Sequence, residues 1–371
     1  MPLSGRHSNW LEIDRAAIAG NVRVLRQRTG VEIMAVVKAN GYGHGIVPAA
    51  RAALRGGATW CGVARVEEAL ELRKAGVDSP ILVLGATAAG RLQEAIGERI
   101  SMAVWDLRQV EAAAAAASGT NEGARLHLKV DTGMSRLGIA PERAVELADR
   151  IHPTAGVVFE GVFTHFARAD EADPTPTESQ ERLFGEVLSG LQAKGLQPRW
   201  VHAANSAASL SRPSAFYNMV RAGIALYGLN PSPECRLPDG MRPALAWKAQ
   251  LTQVRLSPPG RGISYGHVYI TQASERIGVA PVGYGDGYRR VPGNRVLVGG
   301  RQVPVVGRVC MDQIMIQLDS VPEAEEGDEV VLIGQQGEGR ITVDELAERW
   351  GTFNYEVICG LSARIPRVYH G

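Results

Sequence analysis

Short β-branched runs alternate with amphipathic helical stretches through most of the chain, and this alternation limits the possible folds more than any other feature. Helical spacing is seen in VEEALELRKAG and PERAVELADRIH, for example. The strands predicted between such stretches lie at 32–38, 60–65, 81–85, 101–105, 125–130, 161–166, 200–205 and 219–228. A doubly wound sheet has the same local pattern, but eight β/α units favour a (β/α)8 TIM-type barrel.

After about residue 240 the pattern changes to short strands separated by glycine and proline turns, with one late helix near VDELAERWG. This pattern is typical of a mostly β domain. We therefore predict a barrel over residues 1–240 and a mostly-β C-terminal domain over residues 241–371. Roughly the first ten residues are candidates for inclusion in the C-terminal domain rather than the barrel.

Composition excludes several classes of function. Lysine plus arginine (40) nearly balances aspartate plus glutamate (39), so no net field attracts nucleic acid or an anionic membrane. The cysteines are widely spaced and form no CxxC pair, which indicates reduced thiols rather than disulfides or a metal site: Cys61, Cys235, Cys310 and Cys359. The start, MPLSGRHSNWLEID, contains no apolar signal core. We expect a cytoplasmic protein that binds neither membrane nor nucleic acid.

Reactive side chains cluster at the predicted strand ends, which form the active face of a barrel. They are Lys38, Lys129, Asp131, His165, Asn205, Ser206, Arg221, Gly223 and Ile224. Lys38, in AVVKANGYGHG, ends an apolar strand, where desolvating an amine is costly unless the amine has a function. Such an amine can form a Schiff base, and the Ser206–Gly223 region can hold a phosphate. An aldehyde and a phosphate on one ligand suggest pyridoxal 5'-phosphate.

Each of these signals also has a structural explanation. Lys38 alone is equally consistent with an exposed loop lysine, and His165 with a buried histidine whose hydrogen bonds are satisfied. Arg221 alone is equally consistent with a structural ion pair, and we predict a structural role for His44. Only their joint placement at one end of the barrel favours function.

The motif AVVKANGYGHG resembles the cofactor-lysine motif of the alanine racemases. Further motifs of that family follow along essentially the whole chain: KVDTGMSRLG, FTHFARAD, HAANSAA, VRAGIALYG, SYGHVY, VGYGDGYRR, GRVCMDQIMI and NYEVICGLSARIPRVY. The resemblance implies a fold-type III pyridoxal-phosphate enzyme that interconverts L- and D-alanine, the latter for the bacterial cell wall. It also implies a head-to-tail homodimer with shared active sites.

The resemblance also assigns roles. Lys38 resembles the Schiff-base lysine, which is the base on one face of the substrate. Tyr265 resembles the base on the opposite face, supplied by the other subunit. The residues that resemble the phosphate-binding set, with Asn205 beside it, are Tyr42, Ser206, Gly223, Ile224 and Tyr355.

Further positions resemble residues around the ring and the substrate. Arg221 resembles the arginine at the pyridine nitrogen. His165 resembles the histidine beside that arginine, which belongs to a hydrogen-bond chain leading toward Tyr265. Arg136 and the backbone of Met311 resemble the groups that hold the substrate carboxylate. Two more match residues of the access channel or its surroundings: Tyr284 and Asp312. In many members of the family the lysine matching Lys129 is carbamylated and orients the arginine matching Arg136.

General chemistry agrees with two opposed bases, since racemisation removes a proton from one face and returns it to the other. Amines and phenols are poor bases at their ordinary pKa values near 10, so neighbouring groups must favour the deprotonated forms. Arginine can only donate, so the pyridine nitrogen beside Arg221 should stay unprotonated. That weakens the ring as an electron sink and limits side reactions.

Two small departures from the family motifs, Ser135 and Gly285, lie beside positions that carry the inferred roles. The sequence leaves three alternatives open. One is a broad-specificity or serine racemase of the same fold. Another is a non-catalytic pyridoxal-phosphate homeostasis protein, which would have no use for Tyr265. The third is a decarboxylase of related fold, which Arg221 disfavours because such enzymes usually place an acid at the ring nitrogen.

Overall fold

The computed structural model describes residues 7–371, which separate into two compact units. The barrel unit consists of Ala16–Gly41 and Ile46–Arg242, and the C-terminal unit contains residues 7–15, 42–45 and 243–371. Strand β1 (Asn9–Asp14) belongs to the C-terminal unit. The domain limits at residues 1–240 and 241–371 stay a prediction. Among the described residues, no helix has both the length and the apolar character needed to cross a bilayer.

Parallel strands form the eight-stranded sheet of the barrel unit. They are β2 (Glu32–Val36), β3 (Trp60–Val63), β4 (Ile81–Val83), β5 (Ser101–Val104), β6 (Ala124–Lys129), β7 (Val157–Phe163), β8 (Trp200–His202) and β9 (Met219–Ala222). Strands β2 to β8 pair in chain order, and β9 pairs with β2. The backbone N–H of Arg221 donates to the carbonyl oxygen of Ala204, just beyond β8, at 2.9 Å. This bond joins the two ends of the sheet, and the predicted barrel is confirmed.

Helices alternate with these strands. They are α1 (Arg15–Thr29), α2 (Ile46–Arg55), α3 (Val66–Lys74), α4 (Leu92–Gly97), α5 (Leu107–Ala117), α6 (Pro141–Ile151), α7 (Thr175–Ala193) and α8 (Ser206–Ser211). Local sequence explains where they begin. At α5, for example, Oδ1 of Asp106 accepts the N–H of Gln109 at 2.9 Å, which satisfies a donor that has no partner inside the helix.

Two of the differences from the predicted strand bounds shape the site. The strand predicted over 219–228 ends at Ala222, because Gly223 leaves the extended region (φ −112°, ψ −97°) and a 3₁₀ turn follows. Strand β7 begins at Val157 and contains an irregularity. Its neighbour β6 pairs with Phe159 and then with Gly161, so Glu160 is an extra, bulged residue.

The C-terminal unit is mostly β, as predicted. Its further strands are β10 (Leu245–Gln250), β11 (Gln253–Ser257), β12 (Gly262–Ile263), β13 (Tyr269–Ile270), β14 (Glu275–Ala280), β15 (Arg295–Val298), β16 (Arg301–Val306), β17 (Ile314–Gln317), β18 (Glu329–Gln336), β19 (Gly339–Ile341) and β20 (Arg367–His370). The main sheet has the order β11-β14-β17-β16-β15-β18-β10-β1-β20, with β19 beside β18, and β12 pairs with β13. Helices α9 (Val343–Arg349) and α10 (Asn354–Cys359) complete the unit.

Candidate active site

Lys38 follows β2 and begins a turn of left-handed backbone. The φ angles are 52° at Ala39, 54° at Asn40 and 62° at Gly41. A residue with a Cβ atom loses about 1–2 kcal/mol in this conformation, so the surrounding structure must hold the turn. Glu68 does so, because its carboxylate accepts the N–H of Ala39 at 2.6 Å together with two N–H groups at the start of α3. The backbone beside the amine-bearing residue is therefore fixed from a neighbouring helix.

Arg221 is a buried guanidinium at the end of β9. Its Nη1 donates to the carbonyl oxygen and to Nδ1 of His202, both at 3.0 Å. Its Nη2 donates to the carbonyl oxygens of Thr164 and Ala203, at 2.8 and 3.0 Å, and to Nδ1 of His165 at 3.1 Å. Within residues 7–371 this leaves the Nε–H as its one donor without a partner. Burial lowers the pKa of Arg221 to about 9.

His165 is a neutral imidazole with one defined donor. Burial, followed by the nearby charges of Arg221 and Lys129, holds the pKa of His165 well below its ordinary value. Because its Nδ1 accepts a hydrogen bond from Arg221, the single proton of the ring is on Nε2. The ring can therefore pass on a hydrogen bond by donating from Nε2.

The loops after β8 and β9 bring hydroxyl and backbone donors together. The Oγ of Ser206 accepts the N–H groups of Gly223 at 2.8 Å and Ala225 at 3.4 Å, so its own proton remains available to donate. Asn205 caps the start of α8 with its side chain, and Ile224 is buried in the adjoining turn. The remaining neutral hydroxyl donor of Ser206 suits a phosphate group.

Lys129 ends β6 as a buried amine. Its burial, followed by the positive charges of Arg221 and Arg136, lowers its pKa to about 7. The Nζ atom lies 4.7 Å from the ring centroid of Phe163. Arg136 is exposed, and no hydrogen bond joins it to any described residue, Lys129 included. Its loop is nevertheless ordered, because Oδ1 of Asp131 accepts two backbone N–H groups of the same loop, at 3.1 and 3.0 Å.

Tyr265 lies in the C-terminal unit, in the turn between β12 and β13, where 67% of its surface is exposed. The preceding Ser264 has φ 65° and donates from Oγ to a backbone carbonyl at 2.6 Å. Met311 and Asp312 line the same depression, which has a volume of about 640 Å³. The structure therefore brings Tyr265 beside two other residues predicted for the site.

The groups around that depression differ in whether they already have a hydrogen-bond or ion-pair partner. The N–H of Met311 makes no hydrogen bond with the described residues, whereas its carbonyl oxygen accepts the N–H of Gly285 at 2.9 Å. Asp312 is paired with Arg364 at 2.8 Å. Tyr284 is 45% exposed and begins the adjoining turn. The backbone N–H of Met311 is therefore available to donate, whereas the Asp312 carboxylate already has Arg364 as its ion-pair partner.

Tyr42 and Tyr355 are neighbours in the C-terminal unit, with ring centroids 6.2 Å apart. Burial, followed by the proximity of Tyr355 and Cys359, raises the pKa of Tyr42. Its hydroxyl group therefore stays protonated and can act as a donor. His44, predicted to be structural, is fully buried, and its Nδ1 lies 2.9 Å from the carbonyl oxygen of Tyr42.

Several residues that hold these groups in place were not identified from the sequence: Glu68, Gln180, His202 and Arg364. Gln180, on α7, donates to the carbonyl oxygen of His165 at 3.2 Å. His202 and Arg364 lie inside the quoted motifs, so those motifs contained a signal. Glu68 and Gln180 lie on helices distant in sequence from the residues they support, and no local pattern predicts such contacts.

Family models match both parts of the chain. The alanine racemase N-terminal domain matches residues 13–231, and the alanine racemase C-terminal domain matches residues 244–369. The chain belongs to the alanine racemase family. An alanine racemase of Symbiobacterium thermophilum is 44% identical over 374 residues, which cover 100% of this chain and 99% of the relative.

Solved structures of the family agree with the fold. The alanine racemase from Bacillus anthracis with bound L-Ala-P has a TM-score of 0.93 and 41% identity, covering 98% of this chain and 95% of that chain. The alanine racemase from E. faecalis has a TM-score of 0.93 and 42% identity, covering 98% of each chain. The predicted family, the enzyme class and the pyridoxal-phosphate dependence are therefore confirmed for this chain.

The donors of the barrel unit fit that cofactor. Lys38 supplies an amine at the barrel mouth, and the Nε–H of Arg221 remains for a ring nitrogen. The hydroxyl proton of Ser206 remains for a phosphate oxygen. This set combines an amine, a cationic donor and a neutral hydroxyl donor, which suit the aldehyde, the ring nitrogen and the phosphate of pyridoxal phosphate.

Proposed function

We propose that this enzyme interconverts L- and D-alanine with Lys38 and Tyr265 as bases on opposite faces of the substrate. The observation that carries the proposal is the hydrogen bonding of Arg221, whose Nε–H is its one donor without a partner among the described residues. A guanidinium that stays protonated near neutral pH and can only donate suits an unprotonated pyridine nitrogen. When bound, pyridoxal phosphate supplies the conjugated ring that makes the α-hydrogen of the amino acid acidic.

The chain's own residues then move the protons. The Nζ of Lys38 takes or returns the α-proton on one face, and the hydroxyl oxygen of Tyr265 does so on the other. His165 supports Tyr265 by donating from Nε2, which is the ring nitrogen that carries the proton. Arg221 keeps the ring nitrogen unprotonated, which favours return of the α-proton over other reactions.

Binding groups hold the two charged ends of the substrate–cofactor pair. We assign the substrate carboxylate to the guanidinium of Arg136 and the backbone N–H of Met311, since neither makes a hydrogen bond within residues 7–371. Tyr284 and Asp312 are assigned to the access channel or its surroundings. The phosphate is assigned to Tyr42, Ser206, Gly223, Ile224 and Tyr355, with Asn205 beside it, on the basis of the motifs and of the protonated donors at Tyr42 and Ser206.

Lys129 is proposed to carry a carbamate. The amine reacts with CO₂ by forming an N–C bond and releasing one proton, and only the neutral amine can do this. A pKa of about 7, set by burial and by Arg221 and Arg136, makes that form available near neutral pH. The carbamate is an anion, so it would relieve the crowding of positive charges and would give Arg136 an acceptor.

We expect the carbamate content of the enzyme to rise steeply with pH through the pKa of Lys129. Enzyme equilibrated at a fixed ¹³CO₂ concentration about one unit below and one unit above that pKa should show, by NMR, a carbamate signal that grows about tenfold or more, because the neutral fraction of the amine rises about tenfold over that interval. Lys129→Ala should remove the signal. Lys248 is the matched control, because partial burial lowers its pKa but ion pairs with Glu12 and Glu329, both at 3.1 Å, outweigh that and raise it. A signal that survives Lys129→Ala would contradict the assignment.

A second copy of this chain is proposed as the partner, in a head-to-tail homodimer. Apolar side chains are exposed on the hairpin that carries Tyr265 and beside it, with Tyr265 67%, Val268 59%, Ile270 49% and Met311 54% exposed. Several exposed apolar side chains in one region are typical of an interface. We also propose a cytoplasmic location, supported by the free thiols of all four cysteines. The D-alanine product would serve peptidoglycan synthesis.

A racemisation assay across alanine, serine and larger amino acids tests the proposed substrate. We expect kcat/KM to be highest for alanine in both directions and lower for serine by about tenfold or more, since a pocket shaped for a methyl group leaves an added hydroxyl without partners. Wild-type enzyme that converts serine as fast as alanine would instead support a broad-specificity racemase. Bound cofactor without turnover of any amino acid would support the homeostasis protein.

A further inference from the structure

A series of buried polar side chains runs inside the barrel from Arg221 to Glu160. The Nη1 of Arg221 lies 3.0 Å from Nδ1 of His202, and Nε2 of His202 lies 3.0 Å from Nδ1 of His127. The Nε2 of His127 then lies 3.1 Å from Oε2 of Glu160. Both imidazoles are completely buried. Neither histidine nor the glutamate has a place in the proposed proton transfers.

The direction of every hydrogen bond in this series is determined by its first member. A guanidinium can only donate, so Nδ1 of His202 accepts and the ring proton of His202 is on Nε2. That proton is donated to Nδ1 of His127, so the proton of His127 is also on Nε2 and is donated to Glu160. Each ring is therefore neutral, and all the bonds point from the cation toward the carboxylate.

Glu160 is the anion that ends the series. Burial alone would raise the pKa of Glu160, but hydrogen bonds from His127 and Ser101 and the charge of Arg125 hold it below its ordinary value. The acceptors that touch Arg221 are carbonyl oxygens and imidazoles, and no carboxylate within residues 7–371 contacts it directly. The buried Arg221 is therefore connected to a negative charge only indirectly. The two histidines link its guanidinium to the carboxylate of Glu160.

Two local features of β7 allow this arrangement. Glu160 is the bulged residue between β6 and β7, and such bulges redirect a side chain from its regular direction. The next residue, Gly161, leaves space for the ring of His127, because a Cβ atom there would lie 2.3 Å from Nδ1 of that ring. His202 is held by stacking on Phe163, with centroids 4.8 Å apart and an interplanar angle of 6°. The positions of both rings are therefore specified by packing as well as by hydrogen bonds.

We propose that His202, His127 and Glu160 are positioning residues that keep Arg221 protonated and direct its Nε–H to the pyridine nitrogen. The inference rests on the proposed function, in which Arg221 occupies that position. Hydrogen bonds in series strengthen one another, so the charge of Glu160 stabilises the arginine at the far end. The strength of the bond to the ring nitrogen then depends on a carboxylate that contacts neither cofactor nor substrate.

Glu160→Gln tests the proposal, because the amide keeps the shape of the side chain and removes the charge. Holoenzyme loaded with pyridoxal phosphate labelled with ¹⁵N in the ring should show a displaced ring-nitrogen resonance. We expect kcat to fall about tenfold while KM changes less than about twofold, as is usual when support of an active group is lost. Glu122→Gln is the matched control, since Glu122 also pairs with Arg125, at 4.0 Å, but lies outside the series.

Arg221→Lys separates the two ways in which this experiment can fail. If the ring-nitrogen resonance is the same in Arg221→Lys as in wild type, the proposed position of Arg221 is wrong. If Arg221→Lys displaces the resonance and Glu160→Gln leaves it unchanged, only the positioning role is overturned. A displacement in Glu160→Gln that is absent from Glu122→Gln supports the positioning role.

The wild-type holoenzyme gives a second test that does not depend on whether a variant folds. Labelling the histidines with ¹⁵N reports which ring nitrogen of each carries a proton. We expect the hydrogen bonds to fix a single ring proton, on Nε2, in both His127 and His202. A proton on Nδ1 of either ring, or a doubly protonated ring, would break the directed series and overturn the proposal.

Discussion

Replacing Lys38 by alanine is expected to abolish racemisation in both directions. The side chain is proposed both to hold the cofactor covalently and to act as one of the two bases, so no other group restores either function. The loss in kcat should be about 10⁴-fold or more, at or beyond the upper end for removal of a general base. Lys38→Arg should be equally inactive, because it keeps the positive charge but provides no nucleophilic amine.

Loss of activity does not show which lysine binds the cofactor, and borohydride reduction can identify that lysine. The wild-type enzyme should become covalently labelled by its cofactor, and mass spectrometry of the digest should place the label on Lys38. Lys194→Ala is a suitable control, since Lys194 is an exposed lysine of the barrel unit that pairs with Asp149 at 3.5 Å. A label found on any other lysine would disprove the assignment of Lys38.

The sequence predicted the elements of the fold because each depends on local periodicity. All eight barrel strands lie at or near their predicted positions, since a parallel strand buried on both faces is a run of apolar residues. The largest errors were at Glu160 and Gly223. A bulge depends on how two distant strands pair, and the path beyond Gly223 depends on a bond to Ser206. Neither is a property of its own segment.

The candidate site was predicted unevenly for a similar reason. Motifs identified the residues with reactive groups, including Lys38 and Arg221. They did not show that Glu68 fixes the left-handed turn after Lys38, or that Glu160 is connected to Arg221. These supporting contacts join residues that are far apart in sequence, and each carboxylate by itself resembles an ordinary surface residue. Only the three-dimensional structure shows which groups Glu68 and Glu160 contact.

Tyr265→Phe should lower kcat/KM by about 10²–10⁴-fold, and by the same factor in both directions. The two factors must be equal because the two enantiomers have equal free energies. Comparing the L-to-D and D-to-L rates therefore cannot show which face has lost its base. Exchange of the α-hydrogen in D₂O can show it. The variant should still exchange the enantiomer whose α-hydrogen faces Lys38, and exchange of the other enantiomer should be lost.

Tyr269→Phe is the matched control, because it removes a hydroxyl from the same β12–β13 hairpin, where that group donates to Glu275 at 2.6 Å. The control should exchange both enantiomers. If Tyr265→Phe also exchanges both at the wild-type rate, Tyr265 is not a base.

Mixed dimers then identify the chain that supplies Tyr265. If each site combines Lys38 of one copy with Tyr265 of the other, a dimer of one Lys38→Ala and one Tyr265→Phe chain has one site with both residues intact and one with neither. Random reassociation of equal amounts should therefore restore roughly a quarter of the wild-type activity. If both residues of a site come from one chain, every site in the mixture lacks one base. Mixed dimers shown to form without any recovery would then place the two bases in a single chain.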